Sequence, residues 1–182
     1  MPNIETRLRG HGMSFHTTWG LFSPKKIDEG TIQLLEQIEL PNDARVLDLG
    51  CGYGPLGLTL AKESLEVHLV DKDFVAVEHS EKNAVLNGLE NTKVYLSNGF
   101  SNVPDDARFD VIVSNIPAKV GKEMLKQILD DAHSFLNPEG RFYIVTISGL
   151  KEFMKRELKE LFSNYKKLPS VKGYACAYSI KE

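Results

Sequence analysis

Asp48, Asp71, Asn98 and Asn115 each follow a short apolar run. In a chain of alternating strands and helices such runs are buried strands, and ligands bind outside the carboxyl ends of the strands. Polar groups at successive strand ends can each serve a different part of one ligand, although Asp and Asn also favour turns for their own sake. The first of them opens the stretch Val46-Leu47-Asp48-Leu49-Gly50-Cys51-Gly52-Tyr53-Gly54-Pro55-Leu56-Gly57. There a strand pattern passes through alternate glycines into a helical pattern carried by Leu58, Leu60 and Ala61. Glycine accepts positive φ without strain and has no Cβ to hold a ligand away.

The glycines fit two registers. Gly52-Tyr53-Gly54-Pro55-Leu56-Gly57 matches the dinucleotide pattern G-x-G-x-x-G, with the acid Asp71 about twenty residues on, and so admits an NAD-dependent oxidoreductase. Asp48-x-Gly50-x-Gly52-x-Gly54 instead sets an acid at the strand end, just before the glycines. A carboxylate there suits a ligand that brings an ammonium and repels one that brings a pyrophosphate. A plainer reading has Asp48 capping the turn.

The elements that must carry these groups follow from patterning. Asp28 is an N-cap for a helix with Ile32, Leu34, Leu35 and Ile38 on one side, ended at Pro41-Asn42-Asp43. A helix after the glycines runs to about Glu63, and Glu66–Asp71 is the second strand. Asp73 caps a helix over Phe74–Leu86, stopped by Asn87-Gly88. Val94–Leu96 and Phe109–Ser114 are strands. A helix from Lys122 to Phe135 ends at Asn137-Pro138-Glu139-Gly140, before a strand over Phe142–Ile147. An amphipathic helix covers Leu150–Phe162. Val171, then Tyr174–Ile180, are short strands joined near Lys172-Gly173. Before all this, Met13–Thr17 alternates as a strand or hairpin would, and Trp19 and Phe22 read first as packing residues, with an exposed aromatic lid over a ligand as the alternative.

The 182 residues, 42% hydrophobic and 26% charged, suit one domain with a proper core. No apolar run approaches the roughly twenty residues needed to cross a membrane. No signal peptide is visible, and the cysteines, Cys51 and Cys176, are far apart, so a reducing, cytoplasmic setting is expected. They form no metal knuckle, and no metal is expected. The net charge of −3 does not mark a nucleic-acid binder. Yet Lys151, Lys155, Arg156, Lys159, Lys166, Lys167 and Lys172 make the end of the chain basic. That is either an electrostatic footprint for RNA or a solvated helix face, with Lys155 and Lys159 paired to Glu152 and Glu160.

The second register resembles motif I of the S-adenosylmethionine (SAM) methyltransferases with a Rossmann-like fold. Further segments resemble the methyltransferase small-domain family, which contains ribosomal RNA guanine-N2 methyltransferases and compact one-domain relatives. Phe22-Ser23, then Asp28-x-Gly30-Thr31, resembles its F-S…D-x-G-[ST] segment. Ser97-Asn98 resembles its adenine-contacting turn, and Ser114-Asn115-Ile116-Pro117 stands where the family has N-P-P. Gly121-Lys122 matches a G-K of the compact relatives, and Gly173-Tyr174 their final turn.

The resemblance implies a Rossmann-like SAM methyltransferase fold of the α/β class. Its seven-stranded, mostly parallel sheet would have one antiparallel edge hairpin strand and helices on both faces. It implies a single domain over residues 1–182, with 1–27 as an N-terminal extension packing near the active site. SAM would be bound by Thr31, Asp48, Gly50, Cys51, Gly52, Gly54, Asp71, Lys72, Asn98, Gly99 and Asn115. Asp71 would accept from ribose hydroxyls, Asn98 would bond the adenine amino edge, and Asn115 would sit beside the sulfonium. Asn115, Ile116 and Pro117 would be catalytic, the Asn115 oxygen and the Ile116 carbonyl accepting the two N–H bonds of a flipped base's amino group. Lys119 and Lys122 are candidates for RNA phosphates. The implied substrate is an exocyclic amine of an RNA base, guanine N2 in ribosomal RNA. Two departures bear on this. Ile116 replaces the first proline and loses its rigid φ. Ala118 stands where many amino-methylating relatives carry an aromatic and the compact relatives often an aliphatic residue, so stacking must come from elsewhere, with Phe15, Trp19 and Phe22 as candidates. A SAM-binding module with weakened turnover, or a methyltransferase of a protein glutamine or small amine, are the alternatives.

Overall fold

The computed structural model describes residues 1–182. Strands β1 (Asn3–Leu8) and β2 (His11–His16) form an antiparallel hairpin closed by Arg9-Gly10. Both turn residues have positive φ, as the right-handed twist of a tight hairpin requires. Alternate residues Ile4, Leu8, Met13 and Phe15 enter the core. Two asparagines of the later helix α3 (Phe74–Leu86) and its cap then stitch β2 down. Asn83 bonds the N–H and C=O of His16, and Asn87 those of Ser14. The side-chain amides stand in for a neighbouring strand and cover an edge that would otherwise be open.

Helix α1 (Glu29–Leu35) begins at Asp28, whose carboxylate accepts from Thr31 N at 3.0 Å. It stops well before Pro41. Arg9 reaches over from the hairpin turn and donates to the carbonyls of Leu35 and Ile38 at 2.6 and 2.7 Å, satisfying the last turn.

The main sheet comprises β3 (Arg45–Leu49), β4 (Glu66–Asp71), β5 (Thr92–Leu96), β6 (Phe109–Asn115), β7 (Leu136–Ile147), β8 (Lys166–Leu168) and β9 (Tyr174–Ile180). Their order is β5-β4-β3-β6-β7-β9-β8. The first five run parallel, and β9 is antiparallel to both β7 and β8. The chain leaves β3 toward β4 and β5, then returns to place β6 on the other side, so the topological switch lies between β3 and β6. Helices α1, α2 (Pro55–Ala61) and α3 pack with the hairpin on one face, while α4 (Lys122–Phe135) and α5 (Lys151–Phe162) cover the other.

Several expectations are corrected. Strand β7 starts at Leu136, ahead of the proposed turn. Leu136 pairs with Phe109, the chain curls tightly through Asn137–Gly140, and pairing resumes at Arg141 with Val111. Glu139 there has φ +68°, and a Cβ on Gly140 would lie 2.7 Å from the Asn137 carbonyl. The turn residues are real but form a bulge inside the strand. The penultimate strand is Lys166–Leu168, not one at Val171, and it ends at Pro169, which has no N–H to donate. Lys155 and Lys159 do not pair with Glu152 and Glu160; on α5 it is Glu157 that takes Arg156 and Lys126 of α4. No helix is long and apolar enough to cross a membrane.

Candidate active site

At the carboxyl ends of β3 to β6 lies a cavity of about 830 Å³. It is of the size and place expected for a small-molecule ligand of an α/β sheet. Thr31, Asp48, Gly50, Cys51, Gly52, Asp71, Lys72, Asn98, Gly99, Asn115, Ile116 and Pro117 all line it. Gly54 does not: it caps α2 with φ +101°, and a Cβ there would strike Leu58 at 2.6 Å.

The glycine turn is held from behind. Gly50 N and Cys51 N both donate to the Val70 carbonyl at 2.9 Å, and Gly52 N donates to Asp71 Oδ2 at 2.9 Å. The other Asp71 oxygen accepts from Asp73 N, so the carboxylate ending β4 fixes the loop that follows β3. Gly50 and Gly52 have φ +73° and +57°, and a Cβ on either would meet nothing within 4 Å. Their glycine identity thus answers to backbone conformation and leaves open space on the cavity side. Cys51, by contrast, is buried with its Sγ 3.5 Å from Ser80 Oγ, and burial pushes its thiol up.

Asp48 caps the turn with one oxygen and leaves the other free. Its Oδ2 accepts from Gly57 N at 2.8 Å and so caps the first turn of α2. Its Oδ1 is buried without any partner. Burial, chiefly, and the charge of Asp71 push the carboxyl up to about 7 against the pull of the Gly57 N–H. A carboxylate left so is costly unless a cationic donor arrives.

Asn115, at the end of β6, is held by residues that the sequence pattern assigned to other work. Its Nδ2 donates to Asp28 Oδ2 at 3.1 Å and to Thr31 Oγ1 at 3.0 Å. Asp28 Oδ1 in turn accepts from the Tyr174 hydroxyl at 2.6 Å, and that bond is the main cause of the Tyr174 phenol being pushed up to about 12. In the sequence Asp28 is a helix cap within the Asp28-x-Gly30-Thr31 segment and Tyr174 part of a turn; neither carries a local signal that reveals the other. The Asn115 Oδ1 and the Ile116 carbonyl take no hydrogen bond from the protein. Adjacent free acceptors of this kind can receive the two N–H bonds of an amine. Ile116 also answers the missing proline. Its side chain is buried, and its N–H, which proline lacks, donates to the Val145 carbonyl at 2.8 Å.

Trp19 and Phe22 are not packing residues: they are 63% and 65% exposed. Phe22 lines the cavity, whereas Phe15 is buried in the core. The loop that presents Phe22 is pinned. Ser23 has φ +50°, its carbonyl accepts from the Tyr53 hydroxyl at 3.0 Å, and the Pro24 carbonyl accepts from Thr17 Oγ1 at 2.6 Å. Lys25 Nζ lies 5.4 Å from the Trp19 ring centre. Lys119 lines the cavity, while the Lys122 ammonium sits over the Phe153 ring on α5.

The family model of the methyltransferase small domain matches residues 12–178. The chain belongs to this family. Its relatives include the uncharacterized protein YbxB of Bacillus subtilis, 36% identical over 173 residues, which are 92% of this chain and 86% of that protein. Ribosomal RNA small subunit methyltransferase C of Hamiltonella defensa is 31% identical over 91% of this chain and 51% of its own length. Among solved structures, the T. thermophilus 16S rRNA N2 methyltransferase RsmC, in complex with AdoMet and guanosine, superposes with a TM-score of 0.89. Its identity is 32%, over 99% of this chain and 50% of that one. The chain therefore spans about half the length of the ribosomal RNA methyltransferases it matches. The sheet of this small-domain methyltransferase is the Rossmann-like one, mostly parallel with an antiparallel strand near one edge.

Proposed function

We propose that this protein transfers a methyl group from SAM to an exocyclic amine of an RNA base, guanine N2 of ribosomal RNA in the first instance. The observation that carries this reading is the Asn115–Ile116 pair. Asp28, ringed by donors, takes the Asn115 NH2, which leaves the amide oxygen free beside the free Ile116 carbonyl. Two acceptors take the two N–H bonds of a primary amine and so localise the nitrogen lone pair away from them. A ring nitrogen or a carbonyl oxygen would find no donor there.

The residues present fit SAM. The orphaned Asp48 oxygen would receive its ammonium. Gly50 and Gly52 would let its backbone lie close. Asp71, with lone pairs beyond those given to Gly52 and Asp73, would accept from the ribose hydroxyls, and Asn98, whose side chain has no partner in the protein, would meet the adenine edge. Thr31, Cys51, Lys72 and Gly99 would complete the wall. When bound, SAM supplies an electrophilic methyl on a sulfonium. The protein's part is then to orient the amine and exclude water. Phe22, exposed at the cavity, would stack on the flipped base in place of the aromatic missing at Ala118. RsmC, solved with AdoMet and guanosine, supports the choice of both ligands. An RNA substrate also goes with the cytoplasmic setting expected from the cysteines.

The test is tritiated methyl transfer from SAM to deproteinised RNA of a strain lacking this protein, followed by nucleoside analysis. Label in N2-methylguanosine is expected. Asp71→Ala should weaken SAM binding in calorimetry, and Asn115→Ala should keep it and lose transfer. Absence of SAM binding, or label found only in protein, would end the reading.

A further inference from the structure

We propose that Asp28, Thr31 and Tyr174 are positioning residues that set which end of the Asn115 amide meets the substrate. The two ends of an asparagine amide are nearly the same shape, and packing alone does not choose between them. Flipped by half a turn, Asn115 would show two N–H donors to an incoming amine, which also brings N–H donors. The choice is made by chemistry behind it. Three donors converge on Asp28: Thr31 N at 3.0 Å, Asn115 Nδ2 at 3.1 Å and the Tyr174 hydroxyl at 2.6 Å. A carboxylate only accepts, so a flipped amide would set oxygen against oxygen and lose a charge-assisted bond. A hydrogen bond to a charged group favours one orientation by about ten- to a hundredfold. Thr31 Oγ1, at 3.0 Å from the same nitrogen, receives the second N–H and holds the amide in place, while the choice of end rests on Asp28, since a hydroxyl also donates.

Tyr174 holds the plane of the carboxylate from its far oxygen. Its ring reaches there because residue 30 is glycine: a Cβ at Gly30 would fall 2.6 and 2.8 Å from Tyr174 Cδ1 and Cε1, and 3.0 Å from Asp28 Oδ2. The segment Asp28-x-Gly30-Thr31 thus reads as a holder for Asn115, with the acid, the gap and the hydroxyl each in one role. With its phenol above the usual range, Tyr174 remains a donor at every pH at which the enzyme would be assayed.

The inference rests on amine methylation only for its kinetic arm. In that arm, with SAM and RNA from the deletion strain, Asp28→Asn, Thr31→Val and Tyr174→Phe should lower kcat, by about tenfold for the single lost hydroxyl bond of Tyr174→Phe and up to about a hundredfold for Asp28→Asn. Dissociation constants for SAM should stay within about twofold in Asp28→Asn and Tyr174→Phe. Thr31→Ser, which keeps the acceptor, should lose less of kcat than Thr31→Val. The second arm needs no activity. The Asn115 side-chain amide signal in a nitrogen-15 correlation spectrum, identified by its loss in Asn115→Ala, should show slow proton exchange in the wild type. That protection should fall in Tyr174→Phe and Asp28→Asn. If the wild-type signal exchanges freely, or if the variants leave both the signal and kcat unchanged, the proposal is overturned and these residues only fasten α1 to β9. If the wild type transfers no methyl group, amine methylation fails, and the amide signal alone decides the orientation. Should Asp28→Asn not fold, Tyr174→Phe and the Thr31 pair carry the test.

Discussion

Lowering the pH from about 7 to about 5.5 is expected to weaken SAM binding about fifteenfold, and Asp48→Asn is expected to abolish that slope. The perturbed group is the Asp48 carboxyl, 1% exposed and pushed up to about 7 by burial. Only its ionised form pairs with an ammonium, so the apparent dissociation constant scales as the inverse of the ionised fraction. That fraction is about one half at pH 7 and about 3% at pH 5.5 with this pKa, a ratio of roughly fifteen. The α-amino group of SAM stays charged over the range, so the slope belongs to the protein. Calorimetry in buffers of different ionisation enthalpy adds a count: close to one proton, about 0.9, released per SAM bound near pH 6. Asp48→Asn should bind about ten- to a hundredfold more weakly at pH 7, with no proton released. A flat profile in the wild type, or the same slope in the variant, would refute the assignment of the ammonium to Asp48.

The same carboxyl governs stability of the ligand-free protein. Its folded pKa of about 7 lies above the ordinary 3.8, so the native state keeps a proton that the unfolded chain has lost. Its contribution is therefore present at low pH and disappears as pH rises through 7, by up to about 4 kcal/mol. Asp48→Asn, neutral throughout, should melt several degrees above wild type at pH 8 and level with it near pH 4 by scanning calorimetry; equal melting temperatures at both would contradict the burial argument. Trp19 is the single tryptophan and is exposed, so its emission should shift when ribosomal RNA is added. Phe22→Ala should raise KM for RNA about tenfold or more and leave SAM affinity alone. Unchanged KM would place base stacking elsewhere.

Much of the cavity lining was legible because strand ends announce themselves. An apolar run that stops at Asp48, Asp71 or Asn115 leaves few places for the polar group to go, and the structure gathers these residues and Asn98 around one cavity. What escaped was whatever depends on partners distant in the chain. Asp28 has the local signature of a helix cap, and it is one, but its bonds to Asn115 and Tyr174 span 87 and 146 residues. Asp48 escaped likewise: capping and ligand binding stand as alternatives in the sequence, while in the structure one oxygen caps α2 and the other is left without a partner, so the two need not compete. For Trp19 and Phe22 the packing reading ranks above the exposed one because aromatic character suggests burial and carries no mark of a loop that turns outward. The β7 bulge shows the converse error. Asn137–Gly140 has every local mark of a boundary, and sheet pairing simply resumes beyond it.

Asn115 is steadied only while α1, the end of β6 and the start of β9 are all docked together. Local opening of any of these is easier than unfolding the whole. On gradual heating the enzyme should fall silent while circular dichroism still reports an intact fold, and recover on cooling without a refolding lag.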